Sequence, residues 1–208
     1  MTGVFTCHFD LVKERVAMKA LEEKINREGL VFPGNILKVG SFLNHQLDVD
    51  FLMEMGKEIQ RLFKDEPVSK IVTIEASGIA IAVAAASHMH VPVVFAKKTK
   101  TSNLSGESYM SKVHSFTHNK DYDIVISKQF LNENDCVLLI DDFLAVGNAL
   151  NGLIDIVSQA GAKLAGAAIA IEKGFQGGGD ALRSRGIKVA SLALIDSMEE
   201  GRITYRAQ

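Results

Sequence analysis

The most constraining feature of the sequence is a series of short, mostly apolar segments without the polar alternation of a half-exposed strand. Each is four to six residues long, and helix-like patterns separate several of them. Such segments are typical of strands buried on both faces, as in a parallel sheet with helices on each side. The sequence therefore predicts a doubly wound α/β fold. The segments are Ile71–Ile74, Val93–Ala96, Val137–Ile140, Ala167–Ile171 and Val189–Leu194.

Apolar residues that recur at three- and four-residue spacing predict the helices of this fold. One helix is expected over Leu11–Ile25 and is stopped by Gly29. A second is expected over Phe51–Phe63, with Asp50 as its N-cap. A third is expected over Asn148–Ala160. Strand and helix thus alternate along the second half of the chain.

Two other segments are predicted to be irregular. Lys97–Lys120 is mostly polar and far longer than the usual connection in a compact domain, so we expect a long loop, which at such a length is usually either a functional lid or disordered. Gly177–Gly179 lacks the glycine spacing of a dinucleotide-binding fingerprint and is interpreted as a flexible turn.

Composition excludes several classes of protein. With 208 residues, 47% of them hydrophobic and 23% charged, the chain matches a folded globular protein and not a disordered one. A net charge of −2 gives no basic field for nucleic acid. The longest apolar run, Ile79–Ala86, is too short to span a bilayer. Cys7 and Cys136 form no disulfide framework and residues 1–10 lack a signal peptide, so we expect a cytoplasmic protein with no nucleic-acid or membrane partner.

The segment after Val137–Ile140 carries the clearest chemical signal. Asp141 and Asp142 stand at the carboxyl end of a predicted buried strand, the edge where open parallel sheets bind ligands. A loop of small residues then opens the next helix, whose N–H groups and dipole favour an anion. Adjacent carboxylates beside a phosphate loop suit a sugar phosphate, whereas an isolated acid pair is more often a plain N-capping loop. The loop residues are Ala145, Val146, Gly147, Asn148 and Ala149.

This segment resembles the motif by which type I phosphoribosyltransferases bind phosphoribosyl diphosphate (PRPP). It departs from that motif at Val146, where most members carry threonine, and Ala145 argues against the hypoxanthine-guanine branch. A second segment resembles the pyrophosphate loop of the family and consists of Glu75, Ala76, Ser77 and Gly78.

Three further segments resemble bacterial family members that act on xanthine, and the similarity extends over about residues 20–205. They are Leu37–Gln46, Asp141–Leu144 and Glu172–Gln176. The resemblance implies the type I phosphoribosyltransferase fold, with a mostly parallel sheet and a small hood. It implies one domain over 1–208, with an N-terminal extension at 1–19 and a hood formed by about 30–47 and the C-terminal end.

The resemblance also implies a role for each candidate residue. The acids Asp141 and Asp142 would bind the ribose hydroxyls, hold Mg²⁺ indirectly through substrate or water, and stabilise charge developing at C1. The loop 145–149 would bind the 5′-phosphate, and the loop 75–78 with Lys98 would bind pyrophosphate. Lys97, Lys100 and the pair Ser108 and Tyr109 are further candidates in the lid. Xanthine would contact Leu37, Asn44, Phe143 and Lys173.

The expected reaction is therefore transfer of the phosphoribosyl group from PRPP to xanthine by a homodimer. Two alternatives remain open. One is the same reaction on another base, such as guanine, adenine or orotate. The other is a regulator that senses PRPP without turnover, although the extra N-terminal residues are too few for the DNA-binding domain that such proteins need.

Overall fold

The computed structural model describes residues 18–99, 107–115, 120–199 and 201–207. Within these ranges an eight-stranded sheet forms the centre of the fold. Its strands are β3 (Lys70–Ile74), β4 (Val93–Thr99), β5 (Ser108–Ser115), β6 (Lys120–Ser127), β7 (Cys136–Leu144), β8 (Lys163–Lys173), β9 (Val189–Glu199) and β10 (Arg202–Tyr205). The strand order is β10-β9-β8-β7-β3-β4-β6-β5. The five strands from β9 to β4 in this order are parallel, whereas β10, β6 and β5 pair antiparallel.

Helices and a small hairpin surround this sheet. The helices are α1 (Lys19–Glu28), α2 (Val49–Leu62), α3 (Gly78–Met89), α4 (Asn148–Gln159) and α5 (Gly178–Ser184). The hairpin pairs β1 (Leu30–Phe32) with β2 (Ile36–Lys38) and is followed by a π-helical turn at Gly40–Asn44, within the segment predicted to form the hood. In the described part of the chain, no helix has the length and hydropathy needed to cross a membrane.

Two buried clusters show that the sheet is covered on both faces. Along β7, Leu138 and Ile140 belong to the cluster that α1, α2 and α3 cover, whereas Val137 and Leu139 belong to the cluster that α4 covers. Successive residues of a strand point to opposite faces, so an unbroken apolar run is what a strand needs when both faces are buried. The predicted doubly wound, mostly parallel fold is confirmed.

The structure corrects the predicted long loop. β4 continues as far as Thr99, and residues 108–115 form β5, which pairs with β6 over eight residues as an antiparallel hairpin. This hairpin lies at the end of the sheet, so β5 alternates between buried residues such as Val113 and exposed ones such as Lys112. Because the exposed residues of β5 are polar, the sequence of this segment resembles that of a loop. Lys100 lies outside the described residues.

Two local predictions at helix ends also differ from the structure. The N-cap of α2 is Asp48, whose Oδ1 accepts a hydrogen bond from the Phe51 N–H at 3.2 Å, and not Asp50, which lies in the first turn. The segment Gly177–Gly179 is not a flexible turn, because its last two residues begin α5. At the other end of the chain, α1 ends at Gly29 as predicted, and residues 11–17 of the predicted first helix lie outside the described range.

The approach of α2 to α3 gives a stability prediction. A Cβ atom on Gly56 would lie 2.5 Å from the carbonyl carbon of Ala84 and 2.7 Å from the nitrogen of Ala85. Gly56→Ala must therefore push the two helices apart, and we expect it to lower the free energy of unfolding by about 1–3 kcal/mol. Chemical denaturation measures this change.

The exposed neighbour on the same helix provides the control. Lys57→Ala should change the free energy of unfolding by no more than about 0.5 kcal/mol. Equal stability of the Gly56→Ala protein and the wild type would contradict this close contact.

Candidate active site

The carboxyl ends of neighbouring parallel strands bring most of the predicted site residues together. Two adjoining cavities of about 170 and 150 Å³ lie at this edge of the sheet and share Asp141, Tyr122 and Ala149. The first is lined by Phe143 and by the loop 145–149, and the second by Asp142, Lys98 and the loop 75–78. The acid pair thus lies between the two predicted phosphate-binding loops.

Asp141 is the electrostatic centre of this arrangement. Its side chain is 5% exposed, and its Oδ1 accepts a hydrogen bond from the Asp142 N–H at 3.0 Å. Burial, and secondly the neighbouring Asp142 carboxylate, raise the pKa of Asp141 well above its ordinary value, while the Lys98 ammonium acts in the opposite direction. A ligand that brings positive charge or hydroxyl donors to this edge would stabilise the ionised form.

The loop after β7 is built to expose backbone N–H groups. Gly147 adopts φ +89° as the N-cap of α4, a left-handed conformation that glycine accepts without steric cost. The first N–H groups of α4 have no acceptor within the helix, and they face this end of the sheet. The side chain of Asn148 donates to the His114 carbonyl at 2.9 Å, which fixes the loop to β5.

The loop after β3 closes the second cavity. The Glu75 N–H donates to the Ala96 carbonyl at 3.1 Å, and the Glu75 carboxylate accepts a hydrogen bond from the Lys98 N–H at 2.6 Å. A Cβ atom on Gly78 would lie 2.2 Å from Thr73 Oγ1, so only glycine fits where α3 begins. The contacts hold the predicted pyrophosphate loop against β4.

Lys173 lies beside Phe143, which also lines the first cavity. The Lys173 ammonium lies 5.6 Å from the centre of the Phe143 ring and donates to the Asn35 carbonyl, in the turn between β1 and β2, at 2.8 Å. Burial lowers the pKa of Lys173. The predicted base-binding pair is therefore adjacent in space and covered by the hairpin at 30–38.

The two hood residues predicted to contact the base are placed differently. Leu37 is buried in the cluster between the hairpin and the sheet, and Asn44 is exposed at the end of the π-helical turn. Neither residue lines the two cavities around Asp141. Their predicted roles stay predictions.

The predicted lid residues separate into two groups. Lys98 lines the site, but Lys97, the preceding residue of β4, lines another groove beside Phe95 and Phe130. The Ser108 and Tyr109 pair lies in β5 and pairs with β6, and Ser108 lines that same groove. Alternation along a strand sends neighbouring side chains to opposite faces, which explains why two adjacent lysines do not share a site.

Sequence reasoning missed Tyr122. This half-buried residue of β6 lines both cavities, and its ring lies 5.4 Å from the Lys98 ammonium. Burial, and secondly the charge of Asp141, raise its pKa. Alternation of Tyr122, Ile124 and Ile126 was the signal that could have identified a strand here.

Comparison with known proteins agrees with this geometry. The model of the phosphoribosyl transferase domain matches residues 39–197. The chain is 56% identical to "Xanthine phosphoribosyltransferase 1" of Clostridium perfringens over 190 residues, which are 91% of this chain and 100% of that protein. It is 53% identical to "Xanthine phosphoribosyltransferase" of Lachnoclostridium phytofermentans over 91% of this chain and 98% of that protein. The chain belongs to the phosphoribosyltransferase family.

A solved structure supports the same fold. The adenine phosphoribosyltransferase of Trypanosoma brucei superposes with a TM-score of 0.69 at 18% identity, covering 83% of this chain and 78% of that one. The predicted family and fold are thus confirmed.

The donor atoms of this phosphoribosyltransferase also indicate how a metal ion could be held. Asp141 and Asp142 offer the hard carboxylate oxygens that suit Mg²⁺. Among the residues that the structure describes, no group of three or more His, Cys, Asp or Glu side chains could hold a metal ion. The two acids therefore fit an ion that takes most of its ligands from a bound diphosphate.

The electrostatics of Asp141 lead to a prediction about stability. Because its pKa is raised on folding, the folded protein loses stability as pH rises from the pKa of the unfolded chain towards the folded value. Asp141→Asn removes this cost. We expect the variant to melt about 2–4 °C above the wild type at neutral pH, with a smaller difference near pH 4.

Calorimetry at both pH values measures the effect, and turnover should fall in the same variant because the carboxylate is lost. Asp65→Asn, at an exposed position after α2, is the control and should melt like the wild type. A lower melting temperature for Asp141→Asn than for the wild type at neutral pH would refute this account of the acid pair.

Proposed function

We propose that the protein transfers the 5-phosphoribosyl group of PRPP to xanthine, forming xanthosine 5′-monophosphate and pyrophosphate in purine salvage. The observation that carries the proposal is the convergence of Asp141, Asp142 and the two predicted phosphate-binding loops, 145–149 and 75–78, at one sheet edge. Relatives that match over nine-tenths of the chain carry the name xanthine phosphoribosyltransferase, which supports the choice of base.

Three groups of residues bind the three parts of PRPP: its 5′-phosphate, its ribose and its pyrophosphate. The loop 145–149 binds the 5′-phosphate through backbone N–H groups at the start of α4. Asp141 and Asp142 accept hydrogen bonds from the ribose hydroxyls, and the loop 75–78 with Lys98 binds the pyrophosphate. This order places C1 of the sugar beside the acid pair.

The reaction is a displacement at C1. The bond from C1 to the pyrophosphate oxygen breaks as a purine nitrogen forms its bond to C1 from the opposite face. Xanthine is an acidic purine and enters as the anion, so no side chain needs to remove a proton. The carboxylates of Asp141 and Asp142 stabilise the positive charge that develops on the sugar.

Mg²⁺ belongs to this proposal as the ion that accompanies PRPP. Asp141 and Asp142 would hold it indirectly, through substrate or water. When bound, it neutralises charge on the leaving diphosphate.

Four residues form the proposed base site. Lys173 donates to an exocyclic oxygen of xanthine, and the Phe143 ring packs on the purine. Leu37 and Asn44 complete the pocket from the hood. The 5.6 Å approach of the Lys173 ammonium to the Phe143 ring supports a shared role for this pair.

The proposal also includes a cytoplasmic location and a homodimer, as the resemblance to the family implies. It further treats 1–208 as one domain, with the hood at about 30–47 and the C-terminal end. Light scattering of the purified chain measures its oligomeric state.

A panel of bases tests the choice of substrate. Turnover with labelled PRPP is measured for xanthine, guanine, hypoxanthine, adenine and orotate, and xanthine should give the largest kcat/KM. If kcat/KM for guanine were about tenfold larger than for xanthine, guanine and not xanthine would be the substrate. Absence of turnover with every base would favour a PRPP-binding regulator.

Lys173 provides a prediction about which residues bind xanthine and which bind PRPP. Because its ammonium is a single donor to the base, Lys173→Ala should lower kcat/KM for xanthine by about 10²–10³-fold while leaving the affinity for PRPP nearly unchanged. Steady-state kinetics with each substrate varied in turn measures both values.

Lys163→Ala is the matched control, since Lys163 is exposed at the opposite end of the same strand, β8. It should leave both values unchanged. Equal losses for xanthine and PRPP in Lys173→Ala would show that Lys173 does not act on the base alone.

A further inference from the structure

The start of α5 packs directly on the loop that follows β7. A Cβ atom on Gly178 would lie 2.3 Å from the Ala145 carbonyl oxygen, 2.6 Å from the carbonyl carbon of Val146 and 2.8 Å from the nitrogen of Gly147. All three are backbone atoms and cannot rotate away as a flexible side chain would. Position 178 therefore has to be glycine for α5 to reach the loop.

The same contact includes a hydrogen bond that sets the direction of a peptide group. The Gly178 N–H donates to the Ala145 carbonyl oxygen at 3.1 Å. The Ala145–Val146 peptide is trans, so its C=O and N–H groups point in opposite directions. When the carbonyl is held towards α5, the Val146 N–H has to point away from α5.

We propose that Gly178 is a positioning residue, which aims the Val146 N–H at the 5′-phosphate by holding the Ala145 carbonyl on the opposite side. This inference rests on the proposed role of the loop 145–149 in binding that phosphate. It gives the motif a donor that does not depend on a side chain, which matters because Val146 has no hydroxyl group to offer.

An ion pair to a buried carboxylate keeps α5 in the place that this role needs. Arg183 of α5 donates to both carboxylate oxygens of Glu172, at 2.9 and 2.6 Å, and Ser191 donates to the same carboxylate. Glu172 is fully buried at the end of β8, and bidentate pairs of this kind fix orientation as well as distance. A Cβ atom on Gly179 would overlap the Glu172 carboxylate, so both glycines serve this close packing.

The variant Gly178→Ala tests the proposal with ribose 5-phosphate as the probe. Calorimetric titration should show binding weakened by at least about tenfold, as expected when a hydrogen bond to a charged group is lost. Binding of inorganic pyrophosphate, which uses the other loop, should stay as in the wild type. In turnover, KM for PRPP should rise and KM for xanthine should not.

Gly186→Ala provides the stability control. Gly186 has φ +79° and no atoms within 4 Å of an added Cβ, so alanine strains the backbone without contacting the loop. It should lower the melting temperature and leave ribose 5-phosphate binding within about twofold of the wild type. Comparable loss of binding in both variants would overturn the positioning role and indicate general destabilisation.

A measurement on the wild type covers the case in which Gly178→Ala does not fold. Amide NMR should show the Val146 N–H shifting and gaining protection from exchange on addition of ribose 5-phosphate, with the Gly178 N–H protected throughout. If ribose 5-phosphate binds but the Val146 N–H does not respond, the inference is wrong and the proposed function stands. If wild-type protein does not bind ribose 5-phosphate at all, the proposed phosphate loop itself is wrong.

Discussion

The burial of Asp141 beside Asp142 is the constraint on which the site depends. A carboxylate at the end of a buried strand loses its hydration, and a second acid next to it adds repulsion, so the pair is costly until a ligand compensates it. The acid pair lies between the loops 145–149 and 75–78 and beside the Lys98 ammonium, and the loop 145–149 leads into the N-terminus of α4. In the proposed function, the hydroxyl donors of a bound sugar offset the cost of this acid pair.

Much of this could be predicted from the sequence, because the informative features are local. Unbroken apolar runs identified the parallel strands, and the sequence from Val137 to Ala149 placed the acid pair and the loop 145–149 together at the carboxyl end of a strand. The antiparallel hairpin was missed because edge strands are polar on one face. Lys97 and Lys98 are neighbours in the sequence, and only the extension of β4 to Thr99 shows that Lys98 lines the site and Lys97 does not.

Contacts between distant segments could not be predicted in this way. Nothing in the sequence of Gly177–Gly179 indicates that Gly178 packs on Ala145, because that contact depends on where α5 lies relative to the end of β7. The same holds for Tyr122, which reaches the acid pair from β6, and for the Asn35 carbonyl above Lys173. A single chain gives the residue types but not these distances.

The ends of β7 and β8 carry residues of both proposed substrate sites. Leu144 pairs with Glu172 on the face that α4 and α5 cover, the side of the phosphate loop. Phe143 and Lys173 lie on the opposite face, beneath the hairpin at 30–38. Phe143 also lines the cavity of the loop 145–149, so the proposed phosphate site and the proposed base site meet at this residue. Because C1 joins the sugar to the base, the proposed function places the reacting carbon between the loop 145–149 and Lys173, beside Asp141 and Asp142.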